Sequence, residues 1–384
     1  MAKFSSSRLW FLVHSWIGLK LSLFMSFILI TGTVAVFSHE IDWLLRPEMR
    51  ASAAIPEQEV AWGDTYDSLQ EVYPEARLIS LNRYHNNAFA LSATVVTEWR
   101  ENSYLWFDPV DGSFLGPTSF YDVQRFFRNV HRHLMLPINI GVPVVTALAL
   151  PLLISLVAGL VVYKKFWRGF FRRPRFERKS RIWLGDLHRL AGLWSSWFIA
   201  LIALTSVFYF AEEMGLRGSP FPRAEAVQQR NQSLPDGFDG AALEQAIAAA
   251  RRELPALEIR RILFPGNSNG ALAIQGDHSA WLVRPRANTV YVDPVTLQSA
   301  GQYTGEQLDF YTRISEAADP LHFGYFGGFL TQVIWFILGA AMSALTVTGI
   351  MIYARRLTKP ATTAAKQQAQ PASKDPDWVA GGVS

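Results

Sequence analysis

The chain has 384 residues, 50% of them hydrophobic and 13% aromatic, with a mean hydropathy of +0.11. That excludes both an ordinary soluble protein and a wholly embedded one, and fits a membrane bundle with sizeable soluble parts. Cysteine is absent, which excludes disulfides, iron–sulfur clusters, thiolate metal sites and covalent haem attachment, and the net charge of +4 matters less than where it lies.

Four apolar runs exceed the roughly 20 residues a helix needs to cross a bilayer. The first, 9–37, is interrupted by Lys20, which can snorkel to the headgroups. It is too long for a cleaved signal peptide, and no small-residue cleavage site follows it. Residues 38–130 come next, a soluble segment with a helical stretch AWGDTYDSLQEVYPEA and strand-like RLISLNRY, AFALSATVV and SYLWFDPVDGSFLG. The second span, with a lead-in on the outer face, occupies 131–163. A loop over 164–181 separates it from the third, 182–211. The second soluble segment, 212–320, has a helical AALEQAIAAARRELPAL followed by EIRRILFPG, GALAIQG, AWLVRP and NTVYVDPVTLQSAG. The fourth span and its lead-in take 321–354, and the tail 360–384, rich in Ala, Gln, Lys and Pro, is expected to be disordered.

Lysine and arginine set the orientation. The loop Lys164–Arg181 carries nine basic residues and one acidic one, the N-terminus has Lys3 and Arg8, and the C-terminal end has Arg355, Arg356 and Lys359. The positive-inside rule puts all three on the cytoplasmic side and the two long segments on the other, the periplasm in a bacterial inner membrane. A basic loop clamped between two spans reads as a topology signal and not as a nucleic-acid site.

The two halves repeat. His14-x-x-x-Gly18-Leu19 matches His188-x-x-x-Gly192-Leu193, Thr31 falls opposite Thr205, and the run Ala158–Tyr163 matches Thr348–Tyr353. Asp108-Pro109 and Asp293-Pro294 mark equivalent turns, and His131 aligns within one residue of His322. The expected fold is membrane α-helical: four transmembrane helices in two parallel repeats, with two periplasmic α+β units.

Histidine is costly in or beside a bilayer and tends to mark function there. Two repeated pairs suggest one cofactor held by His14 and His188 and a second by His131 and His322. Haem, bound non-covalently by one imidazole on each face, suits the large flat neighbours Trp10, Phe11, Trp16, Trp194 and Trp197 and the glycines at 18, 192, 324, 327 and 328. Arg125, Arg128 and Arg132 surround His131 and suit propionates or an anionic substrate. His133 is a rival to His131, and His39 a substitute outer ligand; His85 and His278 read as surface residues. A zinc site on His131, His133 and His322 is the alternative chemistry. The two ligand levels are expected to lie much of a bilayer apart, roughly 30 Å. Neither a GxGxxG nor a Walker A motif is present, so the chain shows no nucleotide or flavin domain and no ATPase.

HSWIGL, VHRHL, the basic loop followed by HRLAGLW, and LHFGYFGG before the last span resemble the PepSY-associated transmembrane proteins, iron-regulated inner-membrane proteins of bacteria. The resemblance covers about residues 5–357, and the two DP-turn units resemble PepSY domains. It looks closest to members that act as di-haem ferric-siderophore reductases of the ferrioxamine type. That resemblance implies two haems b, an oxidoreductase activity, a hydroxamate-type ferric siderophore as substrate, and a cytoplasmic electron donor. It implies haem ligation by His14, His188, His131 and His322, with Arg125 and Arg128 toward the substrate. Two other classes compete: a non-redox siderophore-binding or transport protein, and a regulator of periplasmic proteolysis. A visible spectrum separates them.

Overall fold

Eight strands of this chain pair into one antiparallel sheet in the computed structural model, which describes residues 6–96, 102–163, 165–216, 218–222, 234–266 and 270–357. The first soluble segment gives β1 (Arg77–Asn82), β2 (Leu91–Val96), β3 (Asn102–Phe107) and β4 (Phe114–Ser119). The second gives β5 (Glu258–Leu263), β6 (Leu272–Asp277), β7 (Thr289–Val292) and β8 (Ser299–Tyr303). Each set is a meander, and their order is β4-β3-β2-β1-β5-β6-β7-β8. The two units expected from the sequence are therefore halves of one sheet. They join because each meander begins with a strand that has a free edge. There Ser80, Leu81 and Asn82 pair with Leu263, Ile262 and Arg261.

Alternation puts one apolar face of every strand against the same two helices, α4 (Trp62–Val72) and α10 (Gly240–Glu253). These cross at Gly63 and Gly240, where a Cβ on Gly63 would stand 2.7 Å from the Gly240 carbonyl oxygen. Each helix start is closed by the other helix. Gly63 N–H donates to Glu244 Oε1 at 2.8 Å, and Gly240 N–H donates to Asp67 Oδ1 at 2.7 Å. Trp62, Leu69, Leu81, Leu91, Phe107, Leu243, Ile259, Ile262 and Phe264 all lie in one buried core that runs across the seam.

In the helical part, α1 (Ser6–Lys20) and α2 (Ser22–Ala35) meet at Leu21 with a bend of 67°. Further along, α8 (Ser180–Trp194) and α9 (Ser196–Glu213) break at Ser195. Both breaks fall seven residues after a repeat histidine, His14 or His188. Helices α6 (Ile138–Ala147) and α7 (Ala149–Val162) run on as one stretch, whereas α12 (Gly328–Leu357) is unbroken. Among the described residues, Ile138–Val162, Ser196–Glu213 and Gly328–Arg355 are long and apolar enough to cross a membrane, and so is the bent pair α1–α2 when its two helices are taken as one.

Three further helices join the two parts. One is α3 (Ser38–Leu45), whose buried Asp42 accepts hydrogen bonds from the N–H groups of Val123 and Gln124 and so caps α5 (Val123–His133). The third, α11 (Phe310–Phe323), is the repeat counterpart of α5. His131 and His322 stand in the last turns of these two helices, not on the spans themselves. The expected disordered tail, 360–384, lies outside the described residues.

Candidate functional site: two facing histidine pairs

The four repeat histidines come together two by two. His14 of α1 faces His188 of α8 with ring centroids 6.3 Å apart and ring planes at 76°. His131 of α5 faces His322 of α11 with centroids 6.2 Å apart and planes at 44°. A metal between two imidazoles needs about 2 Å for each bond and about 1 Å from each nitrogen to its ring centre, or about 6 Å in all. Both pairs stand at that spacing.

Hydrogen bonding fixes which nitrogen points inward. His14 Nδ1 lies 3.0 Å from the Ser155 carbonyl oxygen, and His131 Nδ1 lies 2.8 Å from that of Ile28. A carbonyl can only accept, so Nδ1 carries the proton in both. For the other two rings the partner is a threonine hydroxyl: Thr348 Oγ1 at 3.1 Å from His188 Nδ1 and Thr205 Oγ1 at 2.9 Å from His322 Nδ1. Each threonine already donates its single proton to its own helix, Thr348 to the Ala344 carbonyl and Thr205 to that of Leu201. With the hydroxyl proton so placed, each threonine accepts from Nδ1, the same tautomer as in the other two rings. All four Nε2 atoms are left as lone-pair donors. Metal-ligating histidines are oriented in this way by partners outside the ligand shell.

Glycine makes room for the rings. A Cβ on Gly32 would stand 2.5 Å from His131 Cε1, so α2 must present a bare backbone there. At the other end Gly159 and Gly349 occupy equivalent repeat positions, with Cβ distances of 3.5 Å to His14 and 3.6 Å to His188. Gly18 faces open space and lines the cavity, in keeping with its expected role. Gly324 does something else: it ends α11 at φ 77°, and a Cβ there would run into the Trp335 ring.

Each pair opens into its own cavity. The inner one, about 580 Å³, is lined mainly by α1, α7, α8 and α12, with Arg181, Arg189, Tyr163 and Tyr353 among its polar groups beside the histidines. The outer one, about 900 Å³, extends from His131 and His322 up to Tyr84, His85 and Asn86 of the loop between β1 and β2 and to Tyr325. Both volumes fall in the range of cofactor sites, about 300–1,000 Å³. Met25, Leu29 and Leu152 line both cavities. The two cavities therefore share an apolar wall.

The remaining candidates divide. Arg128 and Arg132 line the outer cavity. Burial, then the nearby charges of Arg132 and Arg125, push the Arg128 guanidinium below its usual range, so an anion there is favoured. Arg125 turns to the sheet instead: it donates to Tyr104 Oη at 2.5 Å and lies 3.7 Å over the Phe120 ring. His133 is half-buried, with Nδ1 bonded to the Leu136 carbonyl, and does not line the cavity. His39 does line it, edge-on to Tyr84 at 5.2 Å. His85 is exposed, as read from sequence, and in addition lines the same cavity and stacks on Tyr325 at 5.8 Å. Nothing in its strand-like sequence context marked it, because the stacking partner is 240 residues away. Among the described residues no third His, Cys, Asp or Glu joins either pair.

Residues 11–356 match the family described as PepSY-associated TM region, and the chain belongs to that family. No curated protein matches it.

Proposed function

We propose that this member of the PepSY-associated transmembrane family is a two-haem oxidoreductase of the bacterial inner membrane. In this reading it passes electrons from the cytoplasmic side to a ferric siderophore, of the hydroxamate type, in the periplasm. One observation carries the reading: two pairs of Nε2 lone pairs, each at the spacing of a two-imidazole metal site, open into adjoining cavities. Zinc fits less well, since a tetrahedral ion wants three or four protein ligands and neither pair has a third. A porphyrin brings its own four equatorial nitrogens and needs only two.

His14 and His188 would hold the inner haem b, and His131 and His322 the outer. Bound haem supplies one-electron chemistry at a potential set by its axial ligands and surroundings. The chain's own residues do the rest. Ser155, Thr348, Ile28 and Thr205 hold the four imidazoles in the ligating tautomer. Met25, Leu29 and Leu152 form the apolar wall that the two cavities share. Arg128 and Arg132 draw an anionic group, a propionate or the chelate itself, into the outer cavity, whose extra volume lies on the side of the sheet.

The test is direct. Purified protein should carry about two haems per chain by pyridine haemochrome. After chemical reduction it should reoxidise anaerobically on mixing with a ferric hydroxamate, as ferrous iron appears to a trapping dye. His322→Ala should keep the inner haem and lose this reaction. A colourless protein, or one that no ferric siderophore reoxidises, favours the binding or transport reading.

A further inference from the structure

Beside His322 lies a charged cluster that the haem ligation does not use. Arg284, in the loop between β6 and β7, donates from Nη1 to Asp319 Oδ2 at 2.6 Å. It also grips Glu316 with Nη2 and Nε at 2.6 and 2.9 Å. Arg286 adds a second cation on Glu316 at 2.8 Å. The Glu316 side chain is 1% exposed, and buried carboxylates persist only when paired this well.

The cluster reaches the histidine by two routes. Asp319 stands three residues before His322 in α11, on the same helix face. Its other oxygen accepts from Tyr209 Oη of α9 at 2.7 Å, and the Tyr209 ring lies edge-on to His322 at 5.5 Å. One turn back on α9, Thr205 accepts from His322 Nδ1. A loop of the soluble sheet is thus tied to the ligand's helix and, through Tyr209, to the helix that orients its ring.

The other half of the repeat shows that the fold does not require these charges. Three residues before His131 stands Arg128, and three before that Arg125, where α11 has Asp319 and Glu316. The same scaffold carries opposite charges at equivalent places. An anion beside one ligand, balanced by an arginine from the sheet, is therefore specific to the outer site's second half.

We propose that the Arg284–Asp319 ion pair positions His322 and sets how readily the outer site accepts an electron. This rests on the haem reading above. Charge held close to a poorly solvated centre acts strongly on it. Taking away the anion favours the reduced state, and taking away the cation favours the oxidised one.

The experiment is a redox titration of the full-length, haem-loaded protein followed by its visible spectrum, with the outer step identified as the one missing in His322→Ala. Asp319→Asn, close to isosteric, should shift the outer equilibrium toward reduction by about tenfold, read as about 59 mV upward. Arg284→Gln should move the same step downward, and Arg284→Lys should restore part of the loss. The inner step should stay fixed in all three. An outer step unmoved by Asp319→Asn, or both steps moving together, overturns the proposal while leaving the haem reading intact. Should Arg284→Gln fail to fold, Asp319→Asn decides alone. A wild-type protein without haem removes the underlying reading itself.

Discussion

A histidine becomes a ligand only if its proton is on the far nitrogen, and at all four positions a hydrogen bond from another helix keeps it there. That makes the partners as telling as the rings. Gly32 gives a clean test. Its Cβ would stand 2.5 Å from His131 Cε1, whereas one on Gly349 would stand an ordinary 3.6 Å from His188. Gly32→Ala should therefore displace His131 and lower the haem content from about two to about one per chain, with Gly349→Ala close to wild type, as measured by pyridine haemochrome. Equal loss in both variants would count against the site assignment. The histidines themselves were legible in the sequence, because the repeat showed each in two contexts. Their partners were not. Ile28 and Ser155 act through backbone carbonyls, which leave no mark on residue type, and Gly32 looks like any glycine in an apolar run.

At the scale of elements, periodicity and charge located the apolar runs but not the breaks at Leu21 and Ser195. Neither break falls on proline or glycine, the residues by which a kink is usually read. The strands were legible from alternation, except that AWLVRP is the loop carrying Arg284 and not a strand, and the two DP turns from composition: Asp108 and Asp293 each accept from the N–H two residues on, at 2.9 Å. The seam between β1 and β5 was hidden, since pairing 180 residues apart has no local signal. It has an energetic consequence. Leu81 is fully buried and lies at the seam opposite Ile262. Leu81→Ala should cost roughly 2–5 kcal/mol. Because one core spans both meanders, amide exchange should quicken in β2 and β6 alike when followed by mass spectrometry. Exchange confined to the first meander would mean that the halves are stable separately.

For the molecule as a whole, the two halves meet at the seam, at the α4–α10 crossing, along helix contacts such as α2 with α12 and α7 with α9, and at the two histidine pairs. Each pair takes one ligand from each half, so neither half alone holds a complete site. The orientation that the positive-inside rule predicts is checked by reporter fusions. A periplasm-active enzyme fused after Asp111 or Ser279 should be active, and one fused after Phe171 or Arg355 silent. The reverse pattern would turn the inner and outer sites around and, with them, the direction of the proposed reaction.

The seam also bears on how the protein is made. Translation delivers β1 with its outer edge bare, and that edge stays open until Glu258–Leu263 has been synthesised. An unpaired strand edge is a template for any other strand nearby. A chain stopped after α7 should therefore not remain a tidy half-protein. Two such fragments, each offering β1 in the place meant for β5, have the geometry to cap one another.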